Sequence, residues 1–443
     1  MTKCIGCRCC EVACNEQNGN PAHVQWRRVG EIEGGWYPHT QRLYLSMGCN
    51  HCVEPSCLLG CPVDAFRKDA STGLVLHSAE ACIGCQYCIW NCPYGVPQYN
   101  EERGVVGKCD MCYGRLEEQQ IPACANACPQ QAIEIETVNI AEWILAYGAA
   151  DSPGLPPAEH TISTTRITLP EDMPPSPQRA DSTRVRPENP HTPLILMLVL
   201  TQLSVGAFVA LWLAGTAGGV AKLASLLVGL LSLGASTLHL GRPIYAWRAL
   251  KMWRRSWLSR EVLLLSAFAG AAGAYAFFGS AIVGALTALL GIAGVTASSQ
   301  IYRVPARPAW NSLFTPAEFC LTGGLLGPLF VAALAGANSF LMAASVAAAG
   351  LQILTTGLKL LWLIGSDEFE LRASARLLSG ELERWLLLRL ALLVLGGIVF
   401  PLSHLPFPAL LAALASELLG RYLFFVSVVP KKAAAGFFAG EAA

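Results

Sequence analysis

The stretch that most constrains this chain is residues 82–93, which read CIGCQYCIWNCP. Cys82, Cys85 and Cys88 are each separated by two residues, and Cys92 and Pro93 follow after a gap of three. This spacing is the one that wraps a [4Fe–4S] cluster, with the fourth thiolate reaching to a second cluster. Zinc sites and disulfide frameworks favour other spacings and rarely end in Cys-Pro. The run therefore predicts an electron-transfer protein.

The cysteines belong to one half of the chain and the long apolar runs to the other. Nearly all of the 18 cysteines precede residue 130, although the 443-residue chain is 53% hydrophobic overall. Beyond residue 193, apolar runs follow one another, each long enough to cross a bilayer. We expect an electron-transfer domain at 1–147, a Pro-rich linker at 148–192, a membrane anchor at 193–430 and a tail at 431–443. The formal net charge is zero, and the charge pattern does not indicate nucleic-acid binding.

All but two of the cysteines fall into four groups like the run at 82–93. The exceptions are Cys320 and Cys9. Cys9 interrupts the first group and is interpreted as a buried thiol beside a cluster, or else as an alternative ligand. His51, inside the second group, is interpreted as a hydrogen-bonding neighbour of a cluster rather than a ligand. The ligand candidates are Cys4, Cys7, Cys10 and Cys14; Cys49, Cys52, Cys57 and Cys61; Cys82, Cys85, Cys88 and Cys92; and Cys109, Cys112, Cys124 and Cys128.

The second and third groups together match a two-cluster ferredoxin. The segment between them has the length and the turn of a β-hairpin, as in such a unit. Ferredoxins of this kind exchange the fourth ligand between their clusters. The first and fourth groups are then paired by elimination, in the same crossed manner. The predicted sets are Cys49, Cys52 and Cys57 with Cys92; Cys82, Cys85 and Cys88 with Cys61; Cys4, Cys7 and Cys10 with Cys128; and Cys109, Cys112 and Cys124 with Cys14.

These patterns predict an α+β double ferredoxin-like iron–sulfur domain, holding four [4Fe–4S] clusters, followed by an all-α bundle of eight transmembrane helices. Strands are expected at 24–29, 43–47 and 132–138, where apolar and polar residues alternate. Helices are expected in the apolar half because a helix satisfies its own backbone hydrogen bonds in lipid. The eight segments lie near residues 194–214, 220–240, 261–279, 281–300, 316–336, 338–364, 385–404 and 406–428.

Basic residues are distributed unequally between the two sets of predicted loops. The loops opposite to the N-terminal domain carry Lys222 alone. By the positive-inside rule, the iron–sulfur domain is predicted on the cytoplasmic face of the inner (cytoplasmic) membrane. The loops on the side of that domain carry Arg242, Arg248, Lys251, Arg254, Arg255, Arg260, Arg303, Arg307, Arg372, Arg376, Arg384, Lys431 and Lys432.

Two ionisable residues near the cytoplasmic interface are candidates for a quinone site, since ionisable groups at membrane depth are costly. His239 ends the second predicted helix and Glu261 opens the third. A histidine and a carboxylate there are suited to take up the protons that a quinol releases when it gives up electrons, or to supply them in reverse. The alternatives are an interfacial His239 with a satisfied ring, and a Glu261 placed by the helix dipole.

Other charged residues of the anchor are interpreted structurally. Glu417 and Arg421 stand four apart on the last predicted helix and are read as an ion pair rather than a proton path. Glu318 and Lys359 lie near helix ends and are expected to snorkel. His239 and His404 are too few histidines for two b-type haems, so we expect no haem.

Both halves resemble a known family. Residues 1–140 resemble the four-cluster iron–sulfur subunit of dimethyl sulfoxide reductase and its molybdopterin relatives. Residues 193–430 resemble the haem-free anchor of the same enzymes, which is related to the polysulfide reductase anchor. The anchor resemblance rests on four motifs, namely HLGRP at 239–243, SWLSRE at 256–261, RPAWN at 307–311 and GRYL at 420–423.

The resemblance implies an electron-transfer and membrane-anchor polypeptide that exchanges electrons between menaquinol in the quinone pool and a separate molybdopterin catalytic subunit. In that family the residues matching His239 and Glu261 are associated with the menaquinol site. The fusion of two subunits and the inward-facing charge pattern depart from the family and suit a quinone-linked sulfite dehydrogenase working in the oxidative direction. A further alternative is a module of an ion-translocating respiratory complex, with Glu417, Arg421 and Glu318 in a proton path.

Overall fold

The computed structural model describes residues 1–36, 38–146, 161–173, 178–180, 185–215 and 218–431. The chain forms two compact units, built mainly from Met1–Arg186 and from Pro187–Val429. Much of the predicted linker, at 148–160, 174–177 and 181–184, lies outside the described residues. The same is true of the predicted tail except for Lys431.

The first unit is made of short elements joined by loops that carry the cysteines. Its helices are α1 (Cys9–Asn18), α2 (Ser56–Gly60), α3 (Tyr87–Asn91), α4 (Tyr113–Glu117), α5 (Ala123–Asn126) and α6 (Ile140–Ala146). Its strands are β1 (Arg28–Trp36), β2 (His39–Met47), β3 (Phe66–Lys68), β4 (Val75–His77), β5 (Gln98–Asn100), β6 (Val105–Gly107) and β7 (Gln178–Arg179). All the described pairings are antiparallel, with β1 between β2 and β7, β3 beside β4, and β5 beside β6.

The long hairpin β1–β2 connects the two halves of the cysteine-rich unit. Leu45 and Met47 of β2 form a buried cluster with Tyr94 and Val96, against which cysteines of the second, third and fourth groups pack. Val29 of β1 packs with cysteines of the first and fourth groups. A small apolar core thus holds the four cysteine groups together, and the cysteines themselves make up much of it.

Two sequence expectations in this unit are wrong, and the strand expected at 24–29 begins only at Arg28. Residues 132–138 form no strand, and α6 follows them at Ile140. Cys9 is exposed rather than buried. The helix α1 begins at Cys9, so the inward face carries Cys10 and Cys14, which are buried, while Cys9 lies about 100° around the helix from Cys10.

The described part of the predicted linker lies along the iron–sulfur unit. Thr164 donates through its backbone N–H, and through its hydroxyl, to the carbonyl of Asn50. The Thr165 hydroxyl donates to Asn50 Oδ1 at 2.8 Å, and Val53 N–H donates to the carbonyl of Ile162 at 2.9 Å. The proline-rich composition correctly excludes a central strand, since β7 occupies the edge of its sheet. We call residues 161–168 the strap because they cross the loop of the second cysteine group.

Eight helices among the described residues are long and apolar enough to span a membrane. They confirm the eight predicted segments. The spans are α7 (Thr192–Leu213), α8 (Gly219–Ser236, continued by a 3₁₀ turn to His239), α9 (Trp257–Phe278), α10 (Ala281–Tyr302), α11 (Phe314–Ala335), α12 (Ser339–Gly365), α14 (Glu383–Val394, continued through a π turn to α15, Phe400–Leu402) and α16 (Pro406–Val426). Between spans lie a 3₁₀ helix at Pro243–Leu250 and the amphipathic α13 (Phe369–Ser379), which the sequence analysis missed.

Helix α7 is the most buried of the spans, and glycines let α11 approach it closely. A Cβ atom on Gly206 would lie 2.0 Å from the carbonyl oxygen of Gly323, and one on Gly327 would lie 2.1 Å from the carbonyl carbon of Gly206. Small residues spaced in this way are how membrane helices bring their backbones together when no hydrophobic force drives the contact.

The Gly206→Ala variant should therefore be destabilised, because the added methyl group meets backbone atoms that cannot rotate away. We expect a loss of about 1–3 kcal/mol or more, measured as a lower unfolding temperature of the purified protein in detergent. Gly270→Ala on α9 is the matched control, since a Cβ there meets nothing within 4 Å. Equal unfolding temperatures for the two variants would contradict this account of the α7–α11 contact.

Candidate metal centres and membrane-embedded polar groups

The same backbone conformation recurs in all four cysteine groups. The residue just before the second cysteine of each group has a positive φ, namely Gly6 (72°), His51 (41°), Gly84 (71°) and Met111 (64°). A left-handed residue in such a turn directs successive backbone N–H groups to one side, which creates a concavity for an anionic group such as an iron–sulfur cluster. Glycine adopts this conformation freely, whereas His51 and Met111 adopt it only because their surroundings hold them there.

Backbone N–H groups are also directed at the cysteine sulfurs. Cys61 and Cys128 each accept a hydrogen bond from the N–H four residues later, at 3.3 and 3.2 Å. Cys82 and Cys109 each accept one from the N–H two residues later, at 3.4 and 3.3 Å. The repetition shows that the two halves of the unit use the same local design. Hydrogen bonds to sulfur of this kind stabilise a bound cluster and tune its potential.

The structure brings together each of the four predicted ligand sets. Cys4, Cys7, Cys10 and Cys128 line a single cavity beneath Val29 and Ser46. In each of the other three sets, one thiol lies close enough to the remaining three for their charges to raise its pKa. These are Cys57 with Cys92, Cys49 and Cys52; Cys88 with Cys85, Cys61 and Cys82; and Cys14 with Cys109, Cys124 and Cys112.

Burial favours the neutral form of several of these thiols. It raises the pKa of the Cys85 thiol to about 12, with a smaller contribution from Cys61 and Cys82. It likewise raises the pKa of Cys14 and of Cys92 to about 12. Four buried thiolates would repel one another, so the sets suit a ligand that supplies compensating positive charge and displaces the protons.

The donor sets fit a cluster better than a single metal ion. Within the described ranges, no three His, Cys, Asp or Glu side chains converge closely enough to hold one ion. The four cysteines of a cubane each bind a different iron atom, so they surround a body of several atoms rather than meet at a point. The recurring N–H concavities and the all-cysteine composition fit the same kind of group.

Two buried or partly buried cations lie among the sulfurs, and the sequence analysis missed both. Arg27 Nη1 donates to Ser46 Oγ at 3.1 Å, and Ser46 Oγ lies 3.3 Å from Cys10 Sγ. Lys108 is 4% exposed, and its Nζ lies 3.7 Å from Cys49 Sγ. Neither contact has a sequence signature, because each joins residues that are distant along the chain.

In the membrane unit, the candidate residue Glu261 is more deeply placed than expected. Helix α9 begins at Trp257, so Glu261 lies in its second turn and is 6% exposed, facing the hydroxyl of Ser298 on α10. The helix dipole acts mainly within the first turn, so it does not by itself account for a carboxylate at Glu261. His239 ends the second span, and its Nδ1 is buried without a hydrogen-bond partner among the described residues. No hydrogen bond or ion pair joins His239 to Glu261 in this part of the chain.

A second set of buried polar groups connects three spans, α7, α11 and α16. Arg421 Nη2 donates to Gln202 Oε1 at 3.0 Å, to the carbonyl of Glu318 at 3.1 Å and to Thr322 Oγ1 at 3.2 Å. The Thr322 hydroxyl donates in turn to Glu417. Glu417 and Arg421 therefore meet through Thr322, and the described residues contain no direct ion pair between them, contrary to the sequence interpretation.

The expectation that Glu318 and Lys359 snorkel is also wrong. Lys359 Nζ lies 2.9 Å from Glu318 Oε1, and the two side chains are only 15% and 11% exposed. The helices α11 and α12 pack side by side, so the two residues reach each other more easily than they reach water. We call Gln202, Glu318, Thr322, Lys359, Glu417 and Arg421 the polar network.

Comparison with known proteins gives consistent results for the two halves. A family model described as a 4Fe-4S dicluster domain matches residues 40–138, and one described as the DMSO reductase anchor subunit (DmsC) matches residues 188–364. The first half is 38% identical to one of the chains of the anaerobic dimethyl sulfoxide reductase of Haemophilus influenzae. That match extends over 169 residues, which is 36% of this protein and 81% of the relative.

Two further relatives match the same part of the sequence. The corresponding polypeptide of the anaerobic dimethyl sulfoxide reductase of Escherichia coli is 39% identical over 146 residues, which is 31% of this protein and 71% of the relative. A sulfite dehydrogenase subunit of Allochromatium vinosum is 33% identical over 153 residues, which is 30% of this protein and 64% of the relative.

Proposed function

Since this chain is a member of the dimethyl sulfoxide reductase family, as an iron–sulfur electron-transfer subunit continuous with a multi-pass membrane anchor, we propose that it carries electrons between membrane quinol and a separate catalytic subunit. Four [4Fe–4S] clusters would provide the route. The catalytic subunit would hold the molybdopterin cofactor and act on the terminal substrate. The observation that carries the proposal is the gathering of four sets of cysteines, each set crossing between two groups.

The protein supplies the positions and the electrostatics of these clusters. When bound, the clusters supply one-electron carriers. The cysteine sets would hold them, the N–H groups at sulfur would stabilise their reduced states, and the surrounding apolar core would limit access of water. Neighbouring sets are close to each other. The Cys57 thiol is near enough to contribute to the raised pKa of Cys88, and the Cys124 thiol to that of Cys10.

In the anchor, we propose that His239 and Glu261 handle the protons of a quinol such as menaquinol. Oxidation of one quinol releases two electrons and two protons, so the site needs groups that accept protons. The Nδ1 atom of His239 has no hydrogen-bond partner among the described residues, and the Glu261 carboxylate is buried within the bilayer segment. We propose that no haem takes part in the transfer of electrons from the quinol to the clusters.

The placement in the membrane is argued from loop charge. The chain enters the first span from the iron–sulfur domain, so that domain shares its side with the loops after α8, α10 and α12. These loops carry the basic residues, which favours the cytoplasmic face of the inner membrane. The same argument, together with the sulfite dehydrogenase relative, supports as second candidate a quinone-linked sulfite dehydrogenase subunit that works in the oxidative direction.

The His239→Ala variant tests the quinone site. We expect all clusters to remain reducible by dithionite, whereas reduction by a quinol analogue is lost, because the proton acceptor is missing while the cysteine sets are untouched. His404→Ala is the matched control, since His404 is an exposed histidine in a loop on the opposite side of the bundle. Normal quinol-dependent reduction in His239→Ala, measured by absorbance of the clusters, would remove His239 from the proposal.

A further inference from the structure

Lys108 and His51 make a reciprocal contact between two cysteine groups. Lys108 immediately precedes Cys109 of the fourth group, and its Nζ lies 3.7 Å from Cys49 Sγ of the second group. His51 belongs to the second group, and its ring lies beside Cys109 of the fourth. Each residue thus extends from its own group to a sulfur of the other.

The backbone of Val75 fixes both side chains. His51 Nδ1 accepts a hydrogen bond from Val75 N–H at 3.0 Å, and Lys108 Nζ donates to the carbonyl of the same residue. Lys108 Nζ also donates to the carbonyl of Cys109 at 2.7 Å. Since Val75 begins β4, which is paired with β3, both side chains are held by a rigid strand rather than by a loop.

The hydrogen bond to Val75 also decides the tautomer of His51. With Nδ1 accepting, the neutral ring carries its proton on Nε2. The Nε2 atom is buried and has no hydrogen-bond partner among the described residues, and the Cys109 thiol lies beside the ring. The ring is 2% exposed and its residue has a left-handed backbone, so the surroundings maintain this orientation at some conformational cost. Such a constrained placement favours a role at the sulfur over simple filling of space.

We propose that Lys108 and His51 form a polar bridge that raises the reduction potentials of two neighbouring clusters, one in each ferredoxin-like half. The clusters are those of Cys49, Cys52, Cys57 and Cys92, and of Cys14, Cys109, Cys112 and Cys124. The inference rests on the proposed four-cluster function. A reduced cluster carries one more negative charge, which a cation and an N–H donor at sulfur stabilise within a poorly solvated interior.

The test compares Lys108→Met with Lys68→Met in the full complex, using potentiometric titration of each cluster followed by EPR. Lys68 is the matched control, because its Nζ also donates to two backbone carbonyls of the second group, at 2.7 and 2.6 Å, but makes no hydrogen bond to a sulfur among the described residues. Its charge does act on Cys52, but Lys68 is partly exposed, so water screens that charge more than the buried charge of Lys108. In Lys108→Met we expect the equilibrium constant for reduction of the Cys49 cluster to fall at least about tenfold, which is about 59 mV for a one-electron couple.

The His51→Asn variant tests the other arm. Asparagine tolerates the left-handed backbone, but its shorter side chain no longer reaches the position beside Cys109. We expect the potential of the Cys109 cluster to fall while the clusters containing Cys4 and Cys82 keep theirs. Unchanged potentials in Lys108→Met and His51→Asn, with full iron content, would overturn the bridge and leave the four-cluster function intact.

A folding defect is separated from the proposed effect by Lys108→Arg, which retains the positive charge. If Lys108→Met loses iron but Lys108→Arg keeps both the iron and the potentials, the charge at this position is required and the proposal stands. If both variants lose iron, the shape of the lysine is what matters and the proposal fails. Loss of the four-cluster function itself would instead appear as a low iron content of the unmodified protein.

Discussion

The Cys88→Ala variant should lose one complete cluster, and with it the electron transfer from quinol to the catalytic subunit. The unmodified protein is expected to contain about sixteen iron atoms, and the variant about twelve. Cys88 is buried and lies with Cys61, Cys82 and Cys85, so no water or spare side chain at the surface can replace it. Iron analysis after anaerobic purification and EPR of the reduced protein measure this result.

The exchanged pairing makes a sharper prediction than the iron count. Cys61→Ala should remove the same EPR signal as Cys88→Ala, although Cys61 stands in the second group with Cys57. Cys57→Ala should remove a different signal, the one that Cys92→Ala also removes. Cys9→Ala and Cys320→Ala are the controls, since these two exposed cysteines belong to none of the sets and should leave the iron content unchanged. A shared signal for Cys57 and Cys61 would refute the exchange.

The Arg421→Met variant should have the largest effect on the stability of the anchor. Its guanidinium makes three hydrogen bonds to groups on α7 and α11, and removing it leaves these groups without this buried donor. The Glu417 carboxylate keeps its bond from Thr322 but loses the nearby positive charge of Arg421. Leaving buried polar groups unpaired in this way is expected to cost at least about 3 kcal/mol. Thermal unfolding and the fraction of monodisperse protein in detergent measure the loss.

Arg384→Met is the control for that experiment, because Arg384 is exposed at the start of α14, with its guanidinium 5.5 Å from the neighbouring Trp385 ring. Glu417→Gln separates a structural role of the polar network from a proton path. The amide retains an acceptor for the Thr322 hydroxyl, so stability should be nearly kept, whereas a proton path through Glu417 would be interrupted. An Arg421→Met protein as stable as the control would show that the network does not hold the spans together.

The sequence predicted the parts of this protein that local rules determine. The eight spans follow from run length and hydropathy. The crossed sets were also predicted, since the ferredoxin pattern and elimination leave a single arrangement. Whether these sets bind iron stays a prediction.

The errors have a common physical origin in long-range contacts. Alternation at residues 132–138 predicted a strand, but no neighbouring strand among the described residues is available there to pair with it. Glu318 and Lys359 were expected to reach water separately because their pairing depends on how α11 and α12 pack. Lys108 was missed for the same reason, since its sulfur partner, Cys49, is 59 residues away in the sequence.

The strap bears on how such a protein can be divided into separate polypeptides. The segment beyond α6 returns to form hydrogen bonds with Asn50 and Val53, and Thr161 lies beside the Cys52 thiol. A split directly after residue 146 would leave this side of the second cysteine group open to oxygen and water. If the chain is divided into two polypeptides, the first should therefore retain the strap, and the second should begin beyond Arg186.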